Sequence, residues 1–455
     1  MTDATNLIAA LSSGPLSASA LCARLGVSRP TLSRAVAAAG ARVIRYGKAR
    51  ATAYALRRAV AGQTRFPIHR VEADARVSAV GWLEPVAPSG YLVSFTEYGE
   101  AEHFEGLPWW LQDMRPQGFL GRAFARREAA SLHLPAELRE WGDDEVLAAL
   151  ATVGDDWIGN LLVGDAALSR YLGTPQSEVE GELVRGDERA NRYPALAAAA
   201  LAGELPGSSA GGEQPKFAAI VEEAGRRKAV LIKFSSAADN PVARRWASLL
   251  VAERLALQTL AEFGLPASHS RLHQFGGQTF LEVERFDRVP ATNAQHPRLG
   301  RCGVVSLAAL DAAFVGQANR PWPIITAALA AQGRITAAAQ HDANRLWAFG
   351  RLIGNTDMHA GNLAFLHPGS PVLELAPAYD MLPMALAPRA SGEVPATLPA
   401  PLIGTPPALD AWRVALLAAS AYWESVATDQ RIDEPLRNAA HAALASLESL
   451  KLPLA

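Results

Sequence analysis

The run Ala229-Val230-Leu231-Ile232-Lys233-Phe234 places one ammonium inside a stretch whose other members belong in a core. A buried lysine is costly unless an anion is folded against it. A chain with this strand must therefore also build an element that brings a carboxylate to Lys233. The segment from about Val242 to Phe263 has helical periodicity, and Glu253 stands on its apolar side among Leu249, Leu250, Leu257 and Leu260. A strand lysine paired with a helix glutamate leaves the ammonium directed at nucleotide phosphates. Composition sharpens the point, because only five of the 43 basic residues are lysine (Lys48, Lys216, Lys228, Lys233, Lys451). In so lysine-poor a chain, a lysine here selects a compact point charge over the planar fork of arginine. The plain alternative is a lysine at a strand end with its head in water.

Three more pieces flank this strand in chain order. Ser208-Ser209-Ala210-Gly211-Gly212-Glu213-Gln214-Pro215-Lys216 is a small-residue loop leading into Phe217-Ala218-Ala219-Ile220-Val221. Gly211 and Gly212 let the backbone approach an anion and point N–H groups at it. A Walker loop is excluded, since a strand follows and the G-K-[ST] ending is absent. Phe280-Leu281-Glu282-Val283-Glu284-Arg285-Phe286-Asp287 reads as a strand running into a linker, the hinge position of a two-lobed nucleotide enzyme. The most specific piece is Leu352-Ile353-Gly354-Asn355-Thr356-Asp357-Met358-His359-Ala360-Gly361-Asn362, followed by Tyr379-Asp380-Met381. Asp357 and Asn362 have the D-x-x-x-x-N spacing in which the Asp accepts a substrate hydroxyl proton and the Asn binds Mg²⁺. Asp380 then supplies a second hard-oxygen metal ligand. Each piece alone is weak; in this order they point to phosphoryl transfer.

The N-terminus carries a different signal. The formal net charge of the chain is −2, yet residues 1–60 hold nine basic side chains against one acid, Asp3, so a basic head sits on an acidic body. Residues 4–58 read as three short helices and a hairpin, the order of a winged helix-turn-helix. Ser17 caps a helix through Leu25 that Gly26 ends, and Ser28 caps the next, in which Leu32 and Val36 face inward. Arg29, Thr31, Ser33 and Arg34 then face outward at the end of a recognition helix that meets DNA. Val43–Tyr46 and Ala51–Tyr54 make a wing around Gly47-Lys48, with Arg45, Lys48 and Arg50 available to a phosphate backbone. Any small three-helix domain shows such a stripe, and its arginines are then simply solvated.

Between head and chemistry, residues 68–99 alternate apolar and polar as a small antiparallel β unit. Trp109, Trp110, Leu111, Met114 and Phe119 build a core beyond Pro108, and Pro135–Ala151 and Pro194–Leu201 read as helical. The expected division is a winged helix-turn-helix over 1–62, a β unit with helices over 68–205, an ATP-binding lobe over 206–288 and a helical lobe with the catalytic loop over 289–455. The class is α+β. The two cysteines, Cys22 and Cys302, fall in separate units and imply no disulfide framework, which suits a reducing compartment. No uncharged apolar run reaches the ~18 residues of a membrane span and no signal pattern opens the chain, so the expectation is a cytoplasmic protein without a membrane partner.

Over roughly residues 70–450 the chain resembles the HipA family of bacterial Ser/Thr-kinase toxins, through the SSAGGEQPK loop, the IKF strand, the VERFD hinge, the NTDMHAGN loop and the AYDM site. The resemblance implies a two-lobed, protein-kinase-related fold using ATP and Mg²⁺. It makes Gly211, Gly212, Glu213, Gln214 and Lys216 the phosphate loop, Lys233 an ATP-phosphate ligand, and Glu284, Arg285 and Phe286 the adenine hinge. Asp357 becomes the catalytic base, Asn362 and Asp380 the metal ligands, and His359 and Tyr379 the lining of the nucleotide site. Ser209 takes the position of the serine that members phosphorylate on themselves, a modification that adds about two negative charges to a phosphate-holding loop and ejects it. Partners implied are a protein substrate, an aminoacyl-tRNA synthetase in family members, an antitoxin, and operator DNA, with a homodimer if the operator is two-fold.

The chain departs from the usual pattern in having a helix-turn-helix fused to it, in Gly361 standing where lysine is often found, and in Tyr-Asp-Met lacking the glycine of DFG. Two other functions compete. One is a DNA-binding transcription regulator whose kinase-like body only senses nucleotide, against which the complete set of Lys233, Asp357, Asn362 and Asp380 argues. The other is a small-molecule phosphotransferase, against which the Ser209 loop and the head argue.

Overall fold

A computed structural model describes residues 4–96, 99, 101–173, 182–203, 214–289, 298–318, 320–367, 371–401, 403–404 and 406–454. The head begins with α1 (Ala4–Leu11), β1 (Leu16–Ser17), α2 (Ala18–Leu25) and α3 (Arg29–Ala39), and ends with β2 (Val43–Tyr46) and β3 (Ala53–Leu56). Ser17 accepts from the Ala20 N–H and Ser28 from the Thr31 N–H, satisfying donors that a helix start leaves open. Leu7, Leu11, Leu21, Leu32 and Ala35 form the core under a sheet of order β1-β3-β2. The second strand of the hairpin begins at Ala53 rather than Ala51, because Ala49–Ala51 form a 3₁₀ turn at the tip. That tip needs glycine at position 47, where φ is +71° and a Cβ would stand 2.4 Å from the Ala51 carbonyl oxygen.

The head does not stand apart. Ala55, Ile44 and Tyr46 pack against Val86, Leu92 and Ala101 of the next unit. Arg57 donates to Glu84 at 2.6 Å, and Arg58 donates to Asp144 at 2.8 Å, a carboxylate that also accepts from the Tyr91 hydroxyl at 2.6 Å. Two of the basic residues counted in the head thus serve as struts. The unit they brace is an antiparallel sheet of β4 (Phe66–Val71), β5 (Val77–Pro85), β6 (Tyr91–Phe95), β7 (Ala101–Phe104) and β8 (Leu161–Val163), in the order β7-β6-β5-β4-β8. Phe66, Ile68 and Leu83 of this sheet pack against Phe124 of α4 (Gly118–Glu128) and Leu147 of α5 (Asp143–Val153). Helix α6 (Asp165–Gly173) follows β8.

The third unit is a five-stranded sheet between two helices. It comprises β9 (Glu182–Arg185), α7 (Arg189–Ala202), β10 (Lys216–Glu223), β11 (Arg226–Phe234), α8 (Pro241–Glu262), β12 (Ser270–Phe275) and β13 (Gln278–Glu284), with strand order β12-β13-β11-β10-β9. Alternation along β11 decides which residues meet which helix. Val230, Ile232 and Phe234 join Tyr193 and Leu196 of α7 in one core, while Leu281 and Val283 of β13 meet Leu250 of α8 on the other face. A boundary at residue 206 therefore cuts through this sheet: β9 pairs parallel with β10, and α7 is bound to β13 by Arg189 and Tyr193, which donate to the buried Glu282 carboxylate at 2.8 and 2.6 Å.

The last unit opens with β14 (Arg288–Val289), β15 (Gly300–Arg301) and β16 (Gly303–Ser306) and is otherwise mostly helical. α9 (Trp322–Ala331) and α10 (Ala337–Leu352) precede β17 (Ala364–His367) and β18 (Glu374–Leu375), and α11 (Leu409–Thr428) and α12 (Glu434–Leu454) close the chain. Leu346, Phe349, Tyr422, Trp423 and Leu436 belong to its core, which extends to Leu249 and Leu257 of α8. No helix among the described residues is long and apolar enough to cross a membrane.

Candidate active site

The site lies where α8, the start of β10 and the end of β11 in the five-stranded sheet, and the loop after α10 meet. Lys216 and Lys233 face each other directly across the β10–β11 pair, so both project to the α8 side. α8 starts cleanly, with Pro241 in its first turn and the Asn240 side chain accepting from the Ala243 N–H at 2.9 Å. It carries Glu253 inward, where Lys233 Nζ donates to Glu253 Oε1 at 2.6 Å and also to Asp380 Oδ1. Lys216, Lys233 and Glu253 are 2%, 4% and 1% exposed. Burial pulls the Lys233 ammonium down, but Asp380 and Glu253 outweigh it and hold it above the ordinary lysine range. Burial pushes the Glu253 carboxyl up against the opposing pull of Lys233. Asp380 ends below its ordinary value, because Lys233 and Lys216 more than cancel the effect of its burial.

Asp380 sits at φ +50°, in the left-handed region that costs an L-residue roughly 1–2 kcal/mol and that aspartate enters more readily than most. Its backbone is tied to the loop after α10 by Asn355. The Asn355 side chain donates to the Asp380 carbonyl at 3.3 Å and accepts from the Asp357 N–H at 3.0 Å, so one buried amide links the two aspartates. The loop is braced at three further points. Asn362 donates to the Asp357 carbonyl at 2.7 Å, Tyr379 donates through its hydroxyl to the Gly361 carbonyl at 2.8 Å, and the buried Trp322 indole donates to the His359 carbonyl at 3.1 Å. Burial, with Asp380 and Asp113 beside it, keeps the Tyr379 phenol protonated well above its ordinary range, so it remains a donor. Asp357 itself is exposed, with His359 Nε2 3.8 Å from its carboxylate. A side chain at Gly361 would meet the His359 ring, since a Cβ there lies 2.9 Å from it.

The hinge residues divide. The Glu284 and Arg285 N–H groups already donate to the carbonyls of His269 and Ala229, each at 2.9 Å. The Glu284 carboxylate accepts from Lys228, and the Arg285 guanidinium is bound to Asp287 and Asp156. Phe286 alone joins the site, its ring 5.8 Å from that of Tyr379 in an apolar cluster with Ile158, Val304 and Ala364. Asp287, held well below its ordinary range by Arg285 and Arg288 despite burial, also accepts from the Gly159 N–H at 2.9 Å. The middle unit thus clamps the hinge.

Ser209, Gly211, Gly212 and Glu213 lie outside the described residues. Beside them the buried Nε2 of Gln214 has no hydrogen-bond partner among the described residues. In the head, Arg29, Ser33, Arg34, Arg45, Lys48 and Arg50 are exposed and Thr31 is half-buried, accepting from Arg34 at 3.3 Å. Sequence reading missed Asn355, Trp322, Asp156 and Arg288. Only Asn355 had a local signal, an Asn two residues before the aspartate whose N–H it caps; the others act on partners far away in the chain.

Residues 208–444 match the HipA-like C-terminal domain, and residues 62–172 match the middle domain of YjjJ-like toxins. The chain belongs to the HipA-like toxin family. Within it, the Toxin YjjJ of Escherichia coli (strain K12) is 40% identical over 441 residues, spanning 97% of this chain and 96% of that relative. Two solved structures are more distant, each at 14% identity. HipA of Shewanella oneidensis MR-1, in complex with HipB and operator DNA, has a TM-score of 0.47 over 84% of this chain and 97% of its own. The Helicobacter pylori proinflammatory kinase CtkA has a TM-score of 0.34 over 51% of this chain and 90% of its own.

Proposed function

We propose that this toxin-family chain is an ATP- and Mg²⁺-dependent serine/threonine protein kinase whose head binds double-stranded DNA. The observation that carries the reading is the buried Lys233 ammonium, held between Glu253 and Asp380 and linked through Asn355 to the exposed Asp357. Lys233 and Lys216 would take phosphate oxygens of ATP, and Asp357 would accept the proton of an acceptor hydroxyl. The donor set suits Mg²⁺: Asp380 offers a carboxylate, and Asn362, whose amide nitrogen is committed to the Asp357 carbonyl, offers its oxygen. Bound there, Mg²⁺ would neutralise charge developing on the phosphates. Phe286 and Tyr379 would provide the apolar wall for the base.

The acceptor is a protein serine or threonine, with an aminoacyl-tRNA synthetase the first candidate by family resemblance, and Ser209 is the site of self-inactivation. The capped α3 with Arg29, Thr31, Ser33 and Arg34, and the tip with Arg45, Lys48 and Arg50, support a winged helix-turn-helix reading for the head, with its own operator as the DNA and a homodimer on a two-fold site. A head of this kind in the same chain would take over the DNA-binding task of a separate antitoxin. The test is transfer of labelled phosphate from ATP into proteins of a cell extract by the whole chain and by Asp357→Asn. Labelling above the variant's level is expected; equal labelling would overturn the kinase reading. Phosphate mapping after ATP incubation is expected to find Ser209 modified.

A further inference from the structure

On another side of the helix that carries Glu253 lies a second concentration of charge. α8, β12 and the turn between α11 and α12 enclose an open cavity of about 320 Å³ lined by Arg254, Leu255, Gln258, Arg271, His273 and Arg431. Among the described residues, no carboxylate lines it. Arg271 donates to Glu223 at 2.6 Å and Arg431 to Asp429 at 2.6 Å, both acids lying outside the lining. Arg254 has neither: its one hydrogen bond among the described residues goes to the Gln258 amide oxygen at 2.7 Å. Burial and the neighbouring charge of Arg431 depress the Arg254 guanidinium and outweigh the attraction of Glu262, the carboxylate that accepts from Gln258, so the two arginines repel across the cavity. Such an arrangement is relieved by an anion that accepts from several guanidinium forks at once.

We infer that this cavity binds a phosphomonoester dianion, held by Arg254 of the ATP-lobe helix and Arg431 of the C-terminal turn. Two negative charges match guanidinium groups converging from separate elements, and the volume leaves room for the organic part of the ester. The site is separate from Lys233, because consecutive residues 253 and 254 point about 100° apart around the helix. Its position gives it leverage on that helix. Arg431 is two residues from Asp433, which already accepts from Arg245 at 3.0 Å and donates its N–H to Ser248 Oγ at 2.9 Å, so the ligand would add a second tie between α8 and the same turn.

The test is calorimetric titration of the full chain with inorganic phosphate, O-phosphoserine and a short phosphoserine peptide. Wild type is expected to bind, and Arg254→Gln and Arg431→Gln are each expected to weaken binding about tenfold or more, with the exposed Arg126→Gln on α4 as an unchanged control. Without ligand, Arg254→Gln should melt close to wild type, since relief of the Arg431 repulsion offsets loss of the Glu262 attraction and the Gln258 hydrogen bond. O-phosphoserine binding as tightly as the peptide would identify a free small phosphoester as the ligand, and a tighter peptide would identify a phosphorylated protein segment. Absence of binding by all three probes, or binding undiminished in both variants, would overturn the inference. The readout needs no phosphoryl transfer, so it stands or falls separately from the kinase reading.

Discussion

Lys233→Met and Asp380→Asn both strike the centre of the site, yet they should differ in stability. Lys233→Met leaves the Glu253 and Asp380 carboxylates facing each other where Glu253 is 1% exposed. Deleting one member of a buried pair costs about 3–5 kcal/mol, and Lys216, whose charge reaches both carboxylates, offsets part of it, which puts the expected loss at about 3 kcal/mol at pH 8. The loss should also depend on pH. With Lys233 gone, burial and Asp380 remain, and both raise the Glu253 carboxyl above its ordinary 4.5. A carboxyl raised in the folded state favours folding at low pH, and that contribution is lost as pH rises through the folded value, so the deficit should shrink between pH 8 and pH 5. Asp380→Asn keeps the Lys233–Glu253 pair, removes a carboxylate that is 25% exposed, and puts at φ +50° a residue that tolerates it. Because Asp380 also repels Glu253, its loss relieves one repulsion as it removes one attraction to Lys233, and its effect should stay within about 1 kcal/mol. Urea midpoints of both variants at the two pH values decide the matter. Equal losses, or a Lys233→Met deficit that does not change with pH, would show that Lys233 does not neutralise Glu253 in the folded chain.

Other outcomes follow from particular contacts. Burial raises the Glu282 carboxyl, but His273, Tyr193 and Arg189 hold it at about 2, so its contribution is present above the ordinary 4.5 and is lost as pH falls toward 2. Glu282→Gln should be about 3 kcal/mol less stable at pH 7 and lose that acid limb in circular-dichroism melts. Asn355→Ala cuts the tie between Asp357 and Asp380 and should lower kcat for phosphate transfer at least tenfold, with the KM for ATP changing far less. In the head, Arg34→Ala should weaken DNA binding and reduce the logarithmic salt slope by about one, measured by mobility shift across salt concentrations.

Local physics made much of this fold legible. Ser17 and Ser28 sit where the first apolar-periodic residues begin, and the two head helices start there because each serine hydroxyl oxygen accepts an N–H of the first turn. The cost of burying Lys233 directs attention to a carboxylate on the following helix, and Glu253 is the one that meets it. What escaped reading depends on residues remote in sequence. β9 joins the five-stranded sheet by parallel pairing with β10, more than thirty residues on in the chain, and nothing in Glu182–Arg185 names its partner strand. Asp113 accepts from the Ser306 N–H at 2.6 Å, and Arg288 reaches Asp156 at 3.0 Å, each bridging well over a hundred positions. The hinge shows the same limit: the pattern Glu284-Arg285-Phe286 marks a strand end, but only the folded chain reveals that two of its N–H groups are already taken.

Lys233, Asp357, Asn362 and Asp380 are proposed to act as one phosphoryl-transfer site. Single-turnover transfer of labelled phosphate from Mg²⁺-ATP, with the whole chain at saturating nucleotide, measures this most directly. Wild type is expected to label an acceptor, Asp357→Asn and Asp380→Asn each to slow transfer by about a hundredfold or more, and Asp357→Asn still to bind ATP. Wild-type transfer no faster than that of Asp357→Asn, with ATP bound equally by both, would contradict that proposal and leave a nucleotide-binding body without catalysis.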